Sequence, residues 1–138
     1  MRYLLDTNIT SELTRSQPNP DVQAKLKYFA GELAIASVSW HEMLYGLRRM
    51  PVSRRQRAVR AQLEQIQQTM PILPYDEAAA QWHAEERSRL VAQGRTPPFA
   101  DAQIAAIAVT QNLILATRNL RDFRIFDGLT LENWFDDP

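Results

Sequence analysis

Tyr3-Leu4-Leu5-Asp6-Thr7-Asn8 decides how the rest of the chain is read. Three apolar residues end in a carboxylate, which reads as a buried strand closed by an acid. The pattern of a short apolar run or helix with an acid at its end recurs three times. Glu42 follows Leu33-Ala34-Ile35-Ala36, Asp101 opens the apolar run Ala102 to Ala108, and Asn119 and Asp122 follow Leu113-Ile114-Leu115-Ala116. The strands, Tyr3–Leu5, Leu33–Ala36, Met70–Pro74, Leu113–Ala116 and a weak Leu129–Leu131, are continuous in apolar character rather than alternating. Helices separate them. Strands of that kind belong to a parallel sheet covered on both faces, a three-layer α/β/α arrangement. Ligands bind outside the carboxyl ends of such strands. Acids far apart in sequence would meet there, and like charges held together call for protons or a metal ion.

The helices are read from apolar spacing and punctuation. They are expected at Asn8–Leu13, Asp21–Phe29, a segment running to about Met50, Pro51 to about Thr69, Asp76 to about Gln93, and Asp101 to about Thr110. Gly31 and Gly94 are natural stops. Ser37 or Ser39 is expected to cap the third helix, with Glu42 three residues after Ser39 as a capping-box partner. Trp40, Met43, Leu44 and Leu47 form its apolar stripe. Pro51 suits the first turn of the following helix. Two prolines confine Met70–Pro74 to a short strand near an edge.

Size and composition bound the function. The 138 residues suit one domain spanning 1–138, with an acidic tail from about Glu132 that is loose or lies on the surface. There is no cysteine, so disulfides and thiolate metal sites are excluded. No apolar run is long enough to span a bilayer, and a cytoplasmic location is expected. The net charge is zero, but six arginines fall at 48, 49, 54, 55, 57 and 60 with no acid among them. That segment either solvates a helix face or contacts nucleic-acid phosphates.

The individual acids have ordinary alternatives. Asp6 can cap a helix. Asp101 can do the same, yet it adjoins the most apolar helix, where an unpaired carboxylate is costly. Asn8 is placed to hold Asp6 or a water by a hydrogen bond. Gly46, one turn beyond Glu42, leaves room for a substrate backbone near that carboxylate. Asn119 and Asp122 compete for the fourth position, and Thr117 and Arg118 are candidate phosphate contacts. Other chemistries find little support. His41-Glu42-Met43-Leu44-Tyr45 is not a zincin signature because Tyr45 stands in the last place. There is no glycine-rich phosphate loop and no glycine elbow around a serine. Asn8 stands where a haloacid-dehalogenase phosphatase wants its second aspartate. The only lysines, Lys25 and Lys27, do not suit a receiver domain.

Taken together, Leu4-Leu5-Asp6-Thr7-Asn8-Ile9, Ser39 to Gly46 around Glu42, Ala100 to Ala108 around Asp101, and Leu115 to Phe123 resemble a PIN domain of the bacterial toxin type, VapC-like, with the FitB-like subgroup nearest. The order and spacing hold from residue 1 to about 134. The resemblance implies a mostly parallel sheet of four or five strands between helices and a Mg²⁺-dependent endoribonuclease, with Mn²⁺ as the second candidate ion. Such proteins are toxins that cut RNA such as tRNA, are restrained by a VapB-like antitoxin that also binds operator DNA, and are usually homodimers. Carried over by position, the metal-binding acids are Asp6, Glu42 and Asp101, with the fourth acid in the stretch Thr117-Arg118-Asn119 to Asp122. Asn119 stands where relatives often carry aspartate, which leaves a second metal open. It also favours an alternative role, a weakly cleaving regulatory module that docks a DNA-binding antitoxin-like partner.

Overall fold

The computed structural model describes residues 1–135. Its sheet has five strands in the order β3-β2-β1-β4-β5. These are β1 (Tyr3–Leu5), β2 (Leu33–Ala36), β3 (Ile72–Leu73), β4 (Ile114–Ala116) and β5 (Leu131–Glu132), and each neighbouring pair is parallel. The proline-bounded strand is an edge strand, as its two prolines require. Between the strands run α1 (Thr7–Thr10), a 3-10 turn (Ser11–Thr14), α2 (Pro20–Tyr28), α3 (Ser37–Arg49), α4 (Arg54–Thr69), α5 (Glu77–Ala92), α6 (Phe99–Thr110) and α7 (Leu120–Phe123).

Successive side chains of a strand point to opposite faces, and this sorts the core. Leu4, Ala34, Ala36 and Leu115 pack on α5 and α6 through Ala79, Leu90, Ala102, Ala105 and Ala106. Tyr3, Leu5 and Leu33 face the other way, onto Ile9, Val22, Leu26 and Phe29. Ile35, on that second face, meets Leu47 of α3 and Val59, Leu63 and Ile66 of α4. The three-layer arrangement follows. No helix among the described residues is long and apolar enough to cross a membrane.

Several boundaries differ from the sequence reading, each for a local reason. The first helix begins at Thr7, one residue early, because Asp6 itself is its N-cap and accepts from the Thr7 N–H at 2.8 Å. It tightens into the 3-10 turn after Thr10. The Ser39–Glu42 capping box does not form. β2 passes directly into α3, so Ala36 occupies the cap position and no side-chain cap exists. Ser39 is buried instead, and its Oγ accepts from Thr7 Oγ1 at 3.4 Å. Pro51 lies outside α4, which starts at Arg54 behind Ser53; the Ser53 hydroxyl accepts from the Gln56 N–H. The apolar stripe of α3 is narrower than expected, since Leu44 is exposed while Trp40, Met43 and Leu47 pack on α4. Asp101 does not cap α6. Pro98 takes that place, and Asp101 is the third helical residue.

The C-terminal segment is the largest difference. It is not loose as far as it is described: Trp134 is 3% exposed and Phe135 8%. The Trp134 ring meets Tyr3 edge-on at 5.1 Å and stacks on Phe29 at 5.8 Å. The two remaining tail acids, Asp136 and Asp137, lie outside the described residues.

One buried charge network fastens α5 to the turn before β5. Glu86 accepts from Arg89 at 2.5 and 3.0 Å and from the Asp127 N–H at 2.6 Å. Arg89 also reaches the Ile125 carbonyl at 2.8 Å. The bond from Arg89 holds the Glu86 carboxyl below the usual range, against the opposing effect of burial. A depressed acid contributes stability above its unfolded pKa, about 4.3, and loses it as pH falls through the folded value. Glu86→Gln is therefore expected to cost about 1.5–3 kcal/mol at pH 7 in urea unfolding, with the difference closing below about pH 4. An unchanged unfolding midpoint at pH 7 would show that the network adds nothing.

Candidate functional site

The carboxyl ends of β1, β2 and β4 open into one cleft of about 390 Å³, lined by Asp6, Glu42, Asp101 and Asn119 together with Thr7, Asn8 and Ser11. Parallel pairing in register brings this about. Leu5 pairs with Ile35 and with Ala116, so the residues that follow each strand emerge side by side. Asp6 comes from the end of β1, Asn119 from beyond β4, Glu42 from the second turn of α3, and Asp101 from the first turn of α6.

Asp6 is the fixed point. It is 5% exposed, and its carboxylate accepts from the Thr7 N–H, from Asn8 Nδ2 at 3.2 Å and from Thr117 Oγ1 at 2.8 Å. Burial nevertheless pushes its pKa above the ordinary value, outweighing those three hydrogen bonds, of which the Thr117 bond is the strongest. Asp101 is half-buried and makes no side-chain hydrogen bond among the described residues. Burial raises its pKa first, and the charges of Asp6 and then Asp122 raise it further. The two aspartates thus repel across the cleft. Glu42 is exposed and lines both this cleft and its neighbour.

The fourth position divides by geometry. Asn119 lines the cleft with the three acids, whereas Asp122 lines the two cavities outside it and reaches Asp101 only through its charge. Asn8 holds Asp6, as its position suggested. Thr117 is a correction: it is fully buried and gives its hydroxyl proton to Asp6, so it is not open to a phosphate. The same oxygen accepts from the Asn119 N–H at 3.0 Å. Thr117 therefore ties the charged and the neutral side of the cleft together. Sequence spacing missed Ser11, Val38, Ala100 and Ile104 as further lining residues; the turn from α1 into the 3-10 segment is what carries Ser11 round to the cleft.

Among the described residues, no three acid or imidazole side chains stand close enough to enclose a metal ion by themselves. The donor set still fits a hard cation. Every polar lining atom is an oxygen or an amide, and Mg²⁺ typically takes one or two carboxylates and keeps several waters rather than seeking a full protein cage. The mutual repulsion of Asp6 and Asp101 is what such an ion would relieve.

A second cavity of about 310 Å³ adjoins the cleft through Thr7, Ser11 and Glu42. It is floored by Met43, Leu47, Met50, Val59 and Leu63. Gly46 is on its wall, and a Cβ built there would meet nothing within 4 Å. The glycine keeps that space open without being sterically required. Of the six arginines between 48 and 60, only Arg55 lines this cavity; its guanidinium donates to the Thr14 carbonyl. None lines the acid cleft. Both histidines are elsewhere. His83 is buried with its Nδ1 2.7 Å from the Tyr75 hydroxyl, and His41 is exposed beside Tyr45.

Comparison with known proteins agrees with this geometry. The PIN domain model matches residues 3–129. The chain is 32% identical to the tRNA(fMet)-specific endonuclease VapC of Shigella flexneri over 134 residues, covering 97% of this chain and 98% of the relative. It is also 32% identical to toxin FitB of Neisseria gonorrhoeae, over 96% of this chain and 99% of that protein. Among solved structures, FitAcB from Neisseria gonorrhoeae superposes with a TM-score of 0.87 at 32% identity, covering 96% of this chain and 97% of that one. VapBC2 from Rickettsia felis, bound to a DNA fragment from its promoter, does so with a TM-score of 0.82 at 26% identity, covering 97% and 99%. The chain belongs to the PIN domain family.

Proposed function

We propose that this chain is a divalent-cation-dependent endoribonuclease, the toxin of a toxin–antitoxin pair, and that Asp6, Glu42 and Asp101 hold the cation. The observation that carries the reading is the pairing of two partly desolvated, mutually repelling aspartates, Asp6 and Asp101, at the carboxyl end of a parallel sheet. Relatives of nearly equal length that carry ribonuclease and endonuclease names support the activity. Mg²⁺, or Mn²⁺ in its place, would polarise the phosphate and lower the pKa of a bound water.

The chain's own residues set the geometry. Asp6 cannot swing, because Thr7, Asn8 and Thr117 each hold one of its oxygens. That order supplies electrostatic positioning at no reorganisation cost during the reaction. Asp101 extends into the cleft from a rigid helix. Glu42 stands at the mouth, where it can accept a hydrogen bond from a water. Asn119 offers an amide, able both to donate to a phosphate oxygen and to accept from a water, and it adds no charge against the substrate.

For the partner, the solved relatives FitAcB and VapBC2 are complexes. We read the apolar cavity beside the cleft as the seat for part of an antitoxin, with Glu42 at the junction available to a basic side chain. A cytoplasmic location accords with an RNA substrate.

The test is cleavage of tRNA and total RNA by the purified chain, free of any partner. Cleavage is expected with Mg²⁺, none with excess EDTA, and recovery when Mg²⁺ is restored. Equal cleavage in EDTA would contradict the cation requirement. No cleavage of any RNA under any ion would favour the regulatory alternative, for which Asn119 in an acid's place is the supporting feature.

A further inference from the structure

Beyond Asn119 the acid cleft continues into a third cavity, of about 350 Å³. Arg118, Arg121 and Arg124 line it together with Asn119, Leu120, Asp122 and Asn133. We infer that this arginine cavity binds a phosphate of the RNA strand next to the scissile one, and so positions the strand across the acids. The inference rests on the ribonuclease reading above and adds a subsite to it.

Four observations carry it. First, the two cavities share Asn119, so a strand leaving the acid cleft on that side enters the arginine cavity directly. Second, the charge is placed for it. Three arginines at a spacing of three face one space, with Asp122 as the one acid in its lining. The denser arginine run at 48–60 sends no residue into the cleft, so positive charge at this rim comes from Arg118, Arg121 and Arg124. Third, the arginine loop is fixed to the acids by the backbone. The Arg118 N–H donates to Asn8 Oδ1 at 3.1 Å, and Asn8 in turn holds Asp6. Fourth, the Arg118 guanidinium lies over the buried Phe135 ring at 4.3 Å. A guanidinium already ordered on an aromatic face loses less freedom on meeting a ligand. Its planar fork matches phosphate oxygens in a way a lysine would not. Near two repelling carboxylates, an anionic strand needs cationic contacts just outside the reacting centre to approach at all.

The experiment is fluorescence anisotropy with a single-stranded RNA oligonucleotide. The protein carries Asp6→Asn so that binding is read without cleavage, and the salt concentration is varied. Adding Arg121→Gln with Arg124→Gln is expected to weaken binding and to make the salt slope shallower by roughly 0.7 for each lost contact, about 1.4 in all. Arg121→Lys with Arg124→Lys should return the slope to its starting value. Both side chains are exposed, so circular dichroism should not change; if the double variant unfolds, single Arg124→Gln decides with a slope change of about 0.7. An unchanged slope and affinity would overturn the inference. So would loss of antitoxin binding with RNA binding intact, which would assign the arginines to the protein partner. In otherwise wild-type protein the double Gln variant should raise KM for RNA and leave kcat. If the wild type cleaves nothing, the ribonuclease reading falls, while the anisotropy arm still decides the arginine cavity by itself.

Discussion

Asp6→Asn and Asp101→Asn are each expected to reduce RNA cleavage by roughly 10²–10³-fold, the equivalent of the several kcal/mol that a metal-held charge contributes to a transition state. A lost catalytic ligand should look different from a lost structural residue. Burial, Asp6 and Asp122 together raise the Asp101 pKa in the folded protein. A raised acid contributes stability below its unfolded pKa, about 3.9, and loses it as pH rises through the folded value. At pH 7 in EDTA the ionised Asp101 therefore works against folding. Asp101→Asn should melt at a higher temperature than the wild type in EDTA. The gap should close as pH falls toward 4, and it should narrow when Mg²⁺ is added, because the ion stabilises only the wild type. Thermal melts across pH, with and without Mg²⁺, check this. Near-wild-type cleavage in either variant would remove the assignment, and reduced cleavage with reduced stability would make Asp101 a structural residue.

Trp134→Ala is expected to destabilise the protein by about 3–5 kcal/mol. The indole is almost fully buried between Tyr3 and Phe29, and its Nε1–H donates to Glu132 Oε1 at 3.1 Å. Glu132 also accepts from the Tyr3 hydroxyl at 3.1 Å. Removing the ring opens a cavity against β1, the strand that carries Asp6. Urea unfolding of the two proteins gives the number, and a cost under about 1 kcal/mol, the range of a surface substitution, would mean that the segment frays in solution.

These two cases mark what was legible in the sequence. The strands announced themselves because each is buried on both faces and reads as an unbroken apolar run. The ligand end of the sheet followed from parallel order, so Asp6, Glu42, Asp101 and Asn119 could be gathered into one site from spacing alone. Asn8 as the holder of Asp6 was legible too, two residues away on the same turn. Thr117 was not. It and Asp6 are adjacent only because β1 and β4 pair, and a fully buried hydroxyl looks in sequence like any loop threonine. The Ser39 cap failed for a related reason: nothing local says that β2 enters α3 with no residue between. The tail misled through its composition. Glu132, Asp136 and Asp137 suggested a solvated end, while two aromatic residues between them, Trp134 and Phe135, set where the described part of it lies. Glu86 and Arg89 read as an ordinary surface pair three residues apart, and only the arrival of Ile125 and Asp127 buries the glutamate.

Calorimetric titration of Mg²⁺ into the partner-free chain tests most directly the claim that the acids at the sheet end form a cation site. Saturable binding is expected for the wild type, markedly weaker binding for Glu42→Gln, and none for Asp6→Asn at the same concentrations. Isotherms that match across the three proteins would contradict the account, because the cation would then be held somewhere other than the cleft of Asp6, Glu42 and Asp101.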